Sequence, residues 1–247
     1  MRAHFPAPTP RFGRANNRLP IGHQQRSPYY WWWECLRRNE GYLQCCGDGG
    51  GGQFGSIYAD FGDVRGDSFH SWWTDGERGV QLFAEQPLAI KFAELASPAD
   101  WQPEWGAADV MVVAVPLGPS KRYLRGAFAK LLDKRHTGRK GRPAISKQAS
   151  TARYRLARNY TIANLQQMIA VYDLWLENQR RTDGDKLTLW EIGQKLNLNK
   201  AASRHAVSAD KDERMDGRNV LATTVSRYVK RAKSIIANAA SGVFPVG

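Results

Sequence analysis

Apolar positions along this chain return mostly with the 3.6-residue period of a helix, and only briefly with the alternation of a strand. Tyr29, Trp32, Trp33, Leu36 and Leu43 recur at helical spacing, with Glu34, Arg37 and Arg38 on the other face. Ser27-Pro28 supplies a start signal, because a serine oxygen caps free N–H groups and proline lacks one that would go unpaired anyway. This helix is expected to break at Gly47-Asp48 and the glycine run 49–52. A short helix holding Phe69, Trp72 and Trp73 follows, with Asp67 as its expected cap. Residues 88–95 and 109–117 alternate or run apolar with Val and Ile, which predicts two strands.

From Ser120 onward the helical period dominates. Tyr123, Leu124, Ala127, Phe128, Leu131 and Leu132 form one stripe, which ends near His136-Thr137-Gly138. Thr161 is placed to cap a second stripe of Ile162, Leu165, Met168, Ile169, Tyr172, Trp175 and Leu176. Thr188 and Glu191 have the spacing of a capping box, opening a helix that turns Leu189, Ile192 and Leu196 inward. Gly193 inside that helix costs about 1 kcal/mol relative to alanine, so a close helix crossing is expected there. The last helix, expected from Asn219 to about Ala239, separates its faces: Leu221, Val225, Val229, Ala232 and Ile236 against Thr223, Thr224, Arg227, Lys230, Arg231 and Ser234. Residues 199–218 read as an insertion, a mobile loop or an extra turn of helix, because a helix-turn-helix connection has only about three or four residues. The fold class that follows is α+β, mostly α, with a small two-strand element in the front half and a helix-turn-helix-type domain behind it.

Charge divides the chain further. The 247 residues carry a net charge of +13 with 42% hydrophobic and 24% charged residues, too apolar for a wholly disordered chain. Residues 1–28 are +5, residues 29–118 are −8, residues 119–160 are +12 and residues 161–247 are +4. These shifts suggest a flexible basic arm at 1–28, an acidic Trp-rich domain at 29–118, a basic helix and linker at 119–160, and a DNA-binding domain at 161–247. The asymmetry points to a polyanion for the second half, with solvated charge and no partner as the plain alternative. No stretch approaches 18 uninterrupted apolar residues, so no membrane partner is expected. The N-terminus lacks the apolar core of a secretory signal, and three cysteines suggest a reducing, cytoplasmic setting.

Candidate chemistry narrows the function classes. Seven of nine tryptophans lie between residues 29 and 118; in a negative field they suit core packing or a protein–protein face better than base stacking. That front domain is therefore expected to mediate homo-oligomer or partner contact. Cys35, Cys45 and Cys46 with His70 lack metal-ligand spacing and read as buried thiols. The glycine-rich loop after Gly47 lacks the Lys-Ser/Thr end of a phosphate cradle. Asp60, Asp63 and Asp67 suit a solvated face or caps better than a magnesium site. Arg204, His205 and Tyr228 evoke a tyrosine recombinase, but the H-x-x-R spacing is missing. No catalytic constellation or cofactor is expected, and the chain does not read as an enzyme. Arg139-Lys140-Gly141-Arg142-Pro143 resembles an AT-hook core suited to a narrow minor groove, with a short basic linker as the alternative. Lys121, Arg122, Arg139, Lys140 and Arg142 would add salt-sensitive phosphate attraction. The last helix, with four cations and no acid over residues 219–239, could enter a major groove of double-stranded DNA.

The run Trp33-Glu34-Cys35-Leu36-Arg37-Arg38-Asn39-Glu40-Gly41-Tyr42 resembles the W-E-x-L-R-R-N-x-x-Y opening of uncharacterised transcriptional regulator-like proteins of Proteobacteria, often encoded on integrative and conjugative elements. Glu191-Ile192-Gly193 and the segment from Thr224 to Ile236 are loosely similar to the helices of their C-terminal domain. The resemblance implies a helix-turn-helix-type DNA-binding regulator of a mobile element, cytoplasmic and nucleoid-associated. A replication or recombination accessory protein, and an interaction adaptor whose basic half is merely soluble, are the alternatives.

Overall fold

The computed structural model describes residues 3–85, 95, 97–100, 111–135, 150–157 and 160–247. The chain forms two compact units, Met1–Glu85 with Lys147–Gly247, and Gln86–Ser146.

In the first unit residues of the N-terminal arm pack against the front helices. Strands β1 (Gly13–Arg14) and β2 (Asn17–Arg18) make a small antiparallel hairpin. The backbone of His4 pairs with Glu85, Phe5 packs 5.9 Å from the Trp73 ring, and Phe12 packs 6.0 Å from Phe69. Two aromatic anchors thus hold a segment whose prolines and arginines suggested a loose tail.

Helix α1 (Pro28–Leu36) starts as its cap signal requires, with Ser27 Oγ accepting from Tyr29 N, and all nine of its residues are buried. It stops before Asn39, whose Oδ1 accepts from Tyr42 N at 2.8 Å and starts α2 (Glu40–Gly47). The expected single helix is therefore two. Helices α3 (Gly55–Phe61), α4 (Phe69–Thr74) and α5 (Arg78–Phe83) complete the front. Ser68, not Asp67, caps α4, with its Oγ accepting from Ser71 N at 3.1 Å, while the exposed Asp67 lies 3.3 Å from Arg37. Tyr29, Trp32, Trp33, Phe61, Phe69, Trp72, Trp73 and Phe83 form one aromatic core, with Tyr29 stacked on Phe83 at 4.4 Å.

The tail helices join that same core. Helix α7 (Ile162–Gln179), capped by Thr161, contributes Leu165, Met168 and Ile169; the long α10 (Lys211–Ala239) contributes Ala232, Ile235, Ile236 and Ala239. Trp32 stacks on Phe244 at 5.2 Å and its indole N–H reaches Ala239 O. The division expected at 118/119 and 160/161 therefore differs from the packing, since burying the α1 aromatics requires the tail. Helices α8 (Leu189–Lys195) and α9 (Lys200–His205) pack against the other half of α10, around Ile192 and Val225 and around Ala202, Ala206 and Leu221.

The second unit contains α6 (Lys121–Arg135), which begins where Ser120 Oγ accepts from Tyr123 N. Its Leu124, Phe128, Leu131 and Leu132 are half-buried, whereas Tyr123 and Ala127 of the expected stripe are exposed. Residues 111–117 form no strand, and most of 88–95 lies outside the described residues. The fold is mostly α, as the apolar period indicates, but the two-strand element sits at residues 13–18.

Candidate nucleic-acid interface

Residues 199–218 are not an insertion. Leu196 ends α8 and Asn199 caps α9, so the connection is residues 196–199, the length a helix-turn-helix needs. Asn197 takes the left-handed conformation (φ 48°), and Leu198 N bonds back to Gly193 O at 3.1 Å. Asn199 Oδ1 accepts from Ala201 N and Ala202 N. Asp210 then caps α10, which starts eight residues earlier than its apolar stripe suggested. Both caps were visible as residues: Asn199 precedes a run of helix formers, and Asp210-x-x-Glu213 has the spacing of a capping pair. The scarcity of large apolar residues between 199 and 218 hid them, because α9 packs through alanines.

Two glycines set how closely these helices approach. A Cβ on Gly193 would stand 3.1 Å from Leu221 Cβ and 3.3 Å from a Val225 methyl, which is the close crossing expected at this position. A Cβ on Gly217 would stand 2.5 Å from Ala206 N and 2.8 Å from Ala202 O, so backbone meets backbone there. Gly217→Ala is expected to force α9 off α10 and destabilise by about 1–3 kcal/mol despite alanine's better helix propensity. Gly193→Ala should come out near neutral, as side-chain relaxation and propensity offset each other. Urea unfolding of the two variants checks this, and equal losses would contradict the difference between the crossings.

The α8 start has the full capping box, with Glu191 Oε2 accepting from Thr188 N and Oγ1 at 2.7 Å. Those hydrogen bonds from Thr188 hold the Glu191 carboxyl below its ordinary pKa.

On α10 the expected contact residues are partly gathered. Thr223, Arg227 and Lys230 are exposed, and Ser234 is half-buried, on the side opposite the apolar stripe; Arg231 is exposed at the rim. Thr224 is half-buried near the same rim as Arg231, and its hydroxyl donates back along the helix to Val220 O at 2.7 Å. This outward side begins with Asp212 and Asp216 and becomes free of acid from residue 219 onward. Lys233 completes the cationic set while lying 4.3 Å from the Trp175 ring. Lys121 and Arg122 are exposed on the first turn of α6, in the other unit. Arg139, Lys140 and Arg142 lie outside the described residues.

Compared with family models, curated proteins and solved structures, the chain finds no match. The family resemblance therefore rests on the residues of this chain, and those at 33–42 have specific structural roles. Arg38 makes a bidentate pair with Asp173 of α7, both bonds at 2.7 Å, and also pairs with Glu34. Asn39 Nδ2 donates to Ile236 O of α10. Arg37 lies 4.6 Å over the Trp33 ring. The run locks α1 onto the tail helices.

Other candidate groups are engaged structurally. Trp31, Trp32, Trp33, Trp72 and Trp73 are all buried in the core, so they form no partner face; Trp101 and Trp105 lie outside the described residues. Cys35, Cys45 and Cys46 are buried thiols, and burial pushes Cys35 up to about 12. His70 is hydrogen-bonded to Arg18 at 2.8 Å. Asp60 pairs with Arg153, Asp63 with Arg65 and Asp67 with Arg37, so each carboxylate of that trio has its own cation. The Tyr228 phenol donates to Gln167 Oε1 at 3.0 Å. Among the described residues, no helix is long and apolar enough to cross a membrane.

Proposed function

We propose that this protein binds double-stranded DNA and acts as a transcriptional regulator of a bacterial mobile element, in the cytoplasm and on the nucleoid. The observation that carries the reading is the outward side of α10. From Thr223 to Ser234 it presents Arg227 and Lys230, with Arg231 at its rim, on a rigid helix without a carboxylate from 219 to 239. Arginine is suited to guanine O6 and N7, and lysine with threonine and serine hydroxyls to phosphate oxygens. The tail helices fix this side in place, so little ordering is needed on binding. The regulatory role and the mobile-element setting rest on the resemblance of residues 33–42 and, more loosely, of residues 191–193 and 224–236.

Gel shifts with fragments of the host element at two salt concentrations test the reading. The chain should bind, with affinity falling as salt rises. Arg227→Ala should relax sequence preference at one position, by about 1–3 kcal/mol of discrimination. Lys121→Ala should weaken all sequences alike and lower the salt slope by about 1. No shift at low salt overturns DNA binding, and equal weakening on all sequences by Arg227→Ala overturns its role as a base reader.

A further inference from the structure

The α10 side just described is not the one that α9 occupies. Gly217, Leu221 and Val225 meet α9 and α8. At about 100° per residue, Thr223 and Lys230 lie about 200° and 180° round the helix from Leu221. The outer side of α9 and the outward side of α10 therefore look in opposing directions across one helix.

The α9 surface has a composition of its own. Lys200, Ala201, Arg204 and His205 are exposed, while Ala202 and Ala206 are buried against Leu221. The pose is fixed at several points. Asn199 caps the helix, Gly217 admits its backbone, and Arg218 Nε donates to Ala206 O at 3.2 Å while its guanidinium lies 4.2 Å from the Trp190 ring. Arg214 holds the following turn through Ser208 O and Ala209 O. The acids of the first α10 turns do not oppose this surface: Asp212 and Asp216 fall about 180° and 220° from Leu221, on the far side. Glu213 accepts from the Ser208 hydroxyl at 2.8 Å. A short, braced helix with two cations and one small residue outward suits close approach to a groove.

We infer that α9 is a second duplex-contacting surface and that one chain holds two segments of double-stranded DNA at once. This rests on the DNA reading above. A single segment cannot serve both surfaces, because a duplex is stiff over about 150 base pairs and the helix separating them is only about 10–12 Å across. Each surface supplies its own cations, so each should bind a duplex without the other.

The experiment is a bridging pull-down: one duplex immobilised, a second labelled and free, with the full chain added and single-duplex binding measured in parallel by gel shift. The wild-type chain should capture the labelled duplex. The Lys200→Ala/Arg204→Ala and the Arg227→Ala/Lys230→Ala double variants should each keep a shift, with the salt slope of the surface left intact, and lose capture. A dimer with only the α10 surface gives a different pattern: the first variant captures as wild type and the second loses the shift. That pattern overturns the inference and leaves DNA binding standing. A shift by the wild type without capture does the same. No shift by the wild type overturns both. Matching circular dichroism spectra and urea midpoints for the variants exclude loss by unfolding.

Discussion

Replacing Trp32 by alanine should destabilise the protein by about 3–5 kcal/mol, a large share of the about 5–15 kcal/mol typical of a folded domain. Trp32 is fully buried on α1 among Phe61, Phe83, Tyr154 and Phe244, with ring centroids 5.2–5.9 Å away. Truncation removes contacts from both the front helices and the C-terminal segment, and leaves Ala239 O without its indole donor. Trp32→Phe keeps an aromatic ring and loses the N–H, so it should cost less. The measurement is urea unfolding followed by far-ultraviolet circular dichroism and by tryptophan fluorescence. Both probes should shift together in Trp32→Ala, because residues 3–85 and the tail helices share one core. Two separated transitions, with only the earlier one moved, would show that front and tail fold independently.

The second large effect is expected at Arg38. Its guanidinium joins the nearly buried Glu34 to Asp173 of α7, and Glu34 also accepts from the Tyr30 phenol at 2.8 Å. Burial alone would lower the Arg38 pKa, but the hydrogen bonds it donates to Asp173 and Glu34 raise it above the ordinary arginine value. Arg38→Ala leaves the nearly buried Glu34 charge with only the long Arg37 pair at 3.9 Å and the Tyr30 hydrogen bond, at a cost approaching the about 3–5 kcal/mol of a broken buried pair. Adding Glu34→Gln to that variant should recover much of the loss, since a neutral amide need not be paired with a cation. Arg38→Lys should not substitute, because an ammonium cannot make the bidentate pair with Asp173. Stability of the three variants by urea unfolding decides the matter. If Glu34→Gln recovers nothing, the loss comes from the Asp173 pair alone, and the stranded charge is not its cause.

These two residues also show why the sequence misleads about domains. A −8 segment followed by a +12 segment looks like two bodies. Yet the aromatics of α1 lie on several faces of a nine-residue helix, and all of them are buried. Front helices alone cover part of that surface; α7, α10 and Phe244 cover the rest. Net charge reports what reaches solvent, whereas domain division follows apolar contact, and here the two diverge. The N-terminal arm repeats the lesson, since Phe5 and Phe12 outweigh its prolines and arginines.

The features legible in the residues alone are local. Ser27 with Pro28, Thr161, and Thr188 with Glu191 start helices where their side chains satisfy free N–H groups within three residues. The apolar stripe of α10, the crossing at Gly193 and the mostly helical class follow from the same short-range rules. Packing through alanines and Gly217, which leaves no apolar stripe, makes α9 a helix and lets α10 begin at Lys211. It also sets the α9 cations on the side of α10 away from Arg227 and Lys230. Those outcomes depend on contacts made across the chain, as at Gly217 against Ala206. A spacing pattern records which residues share a face of one helix, but not which neighbour that face will meet.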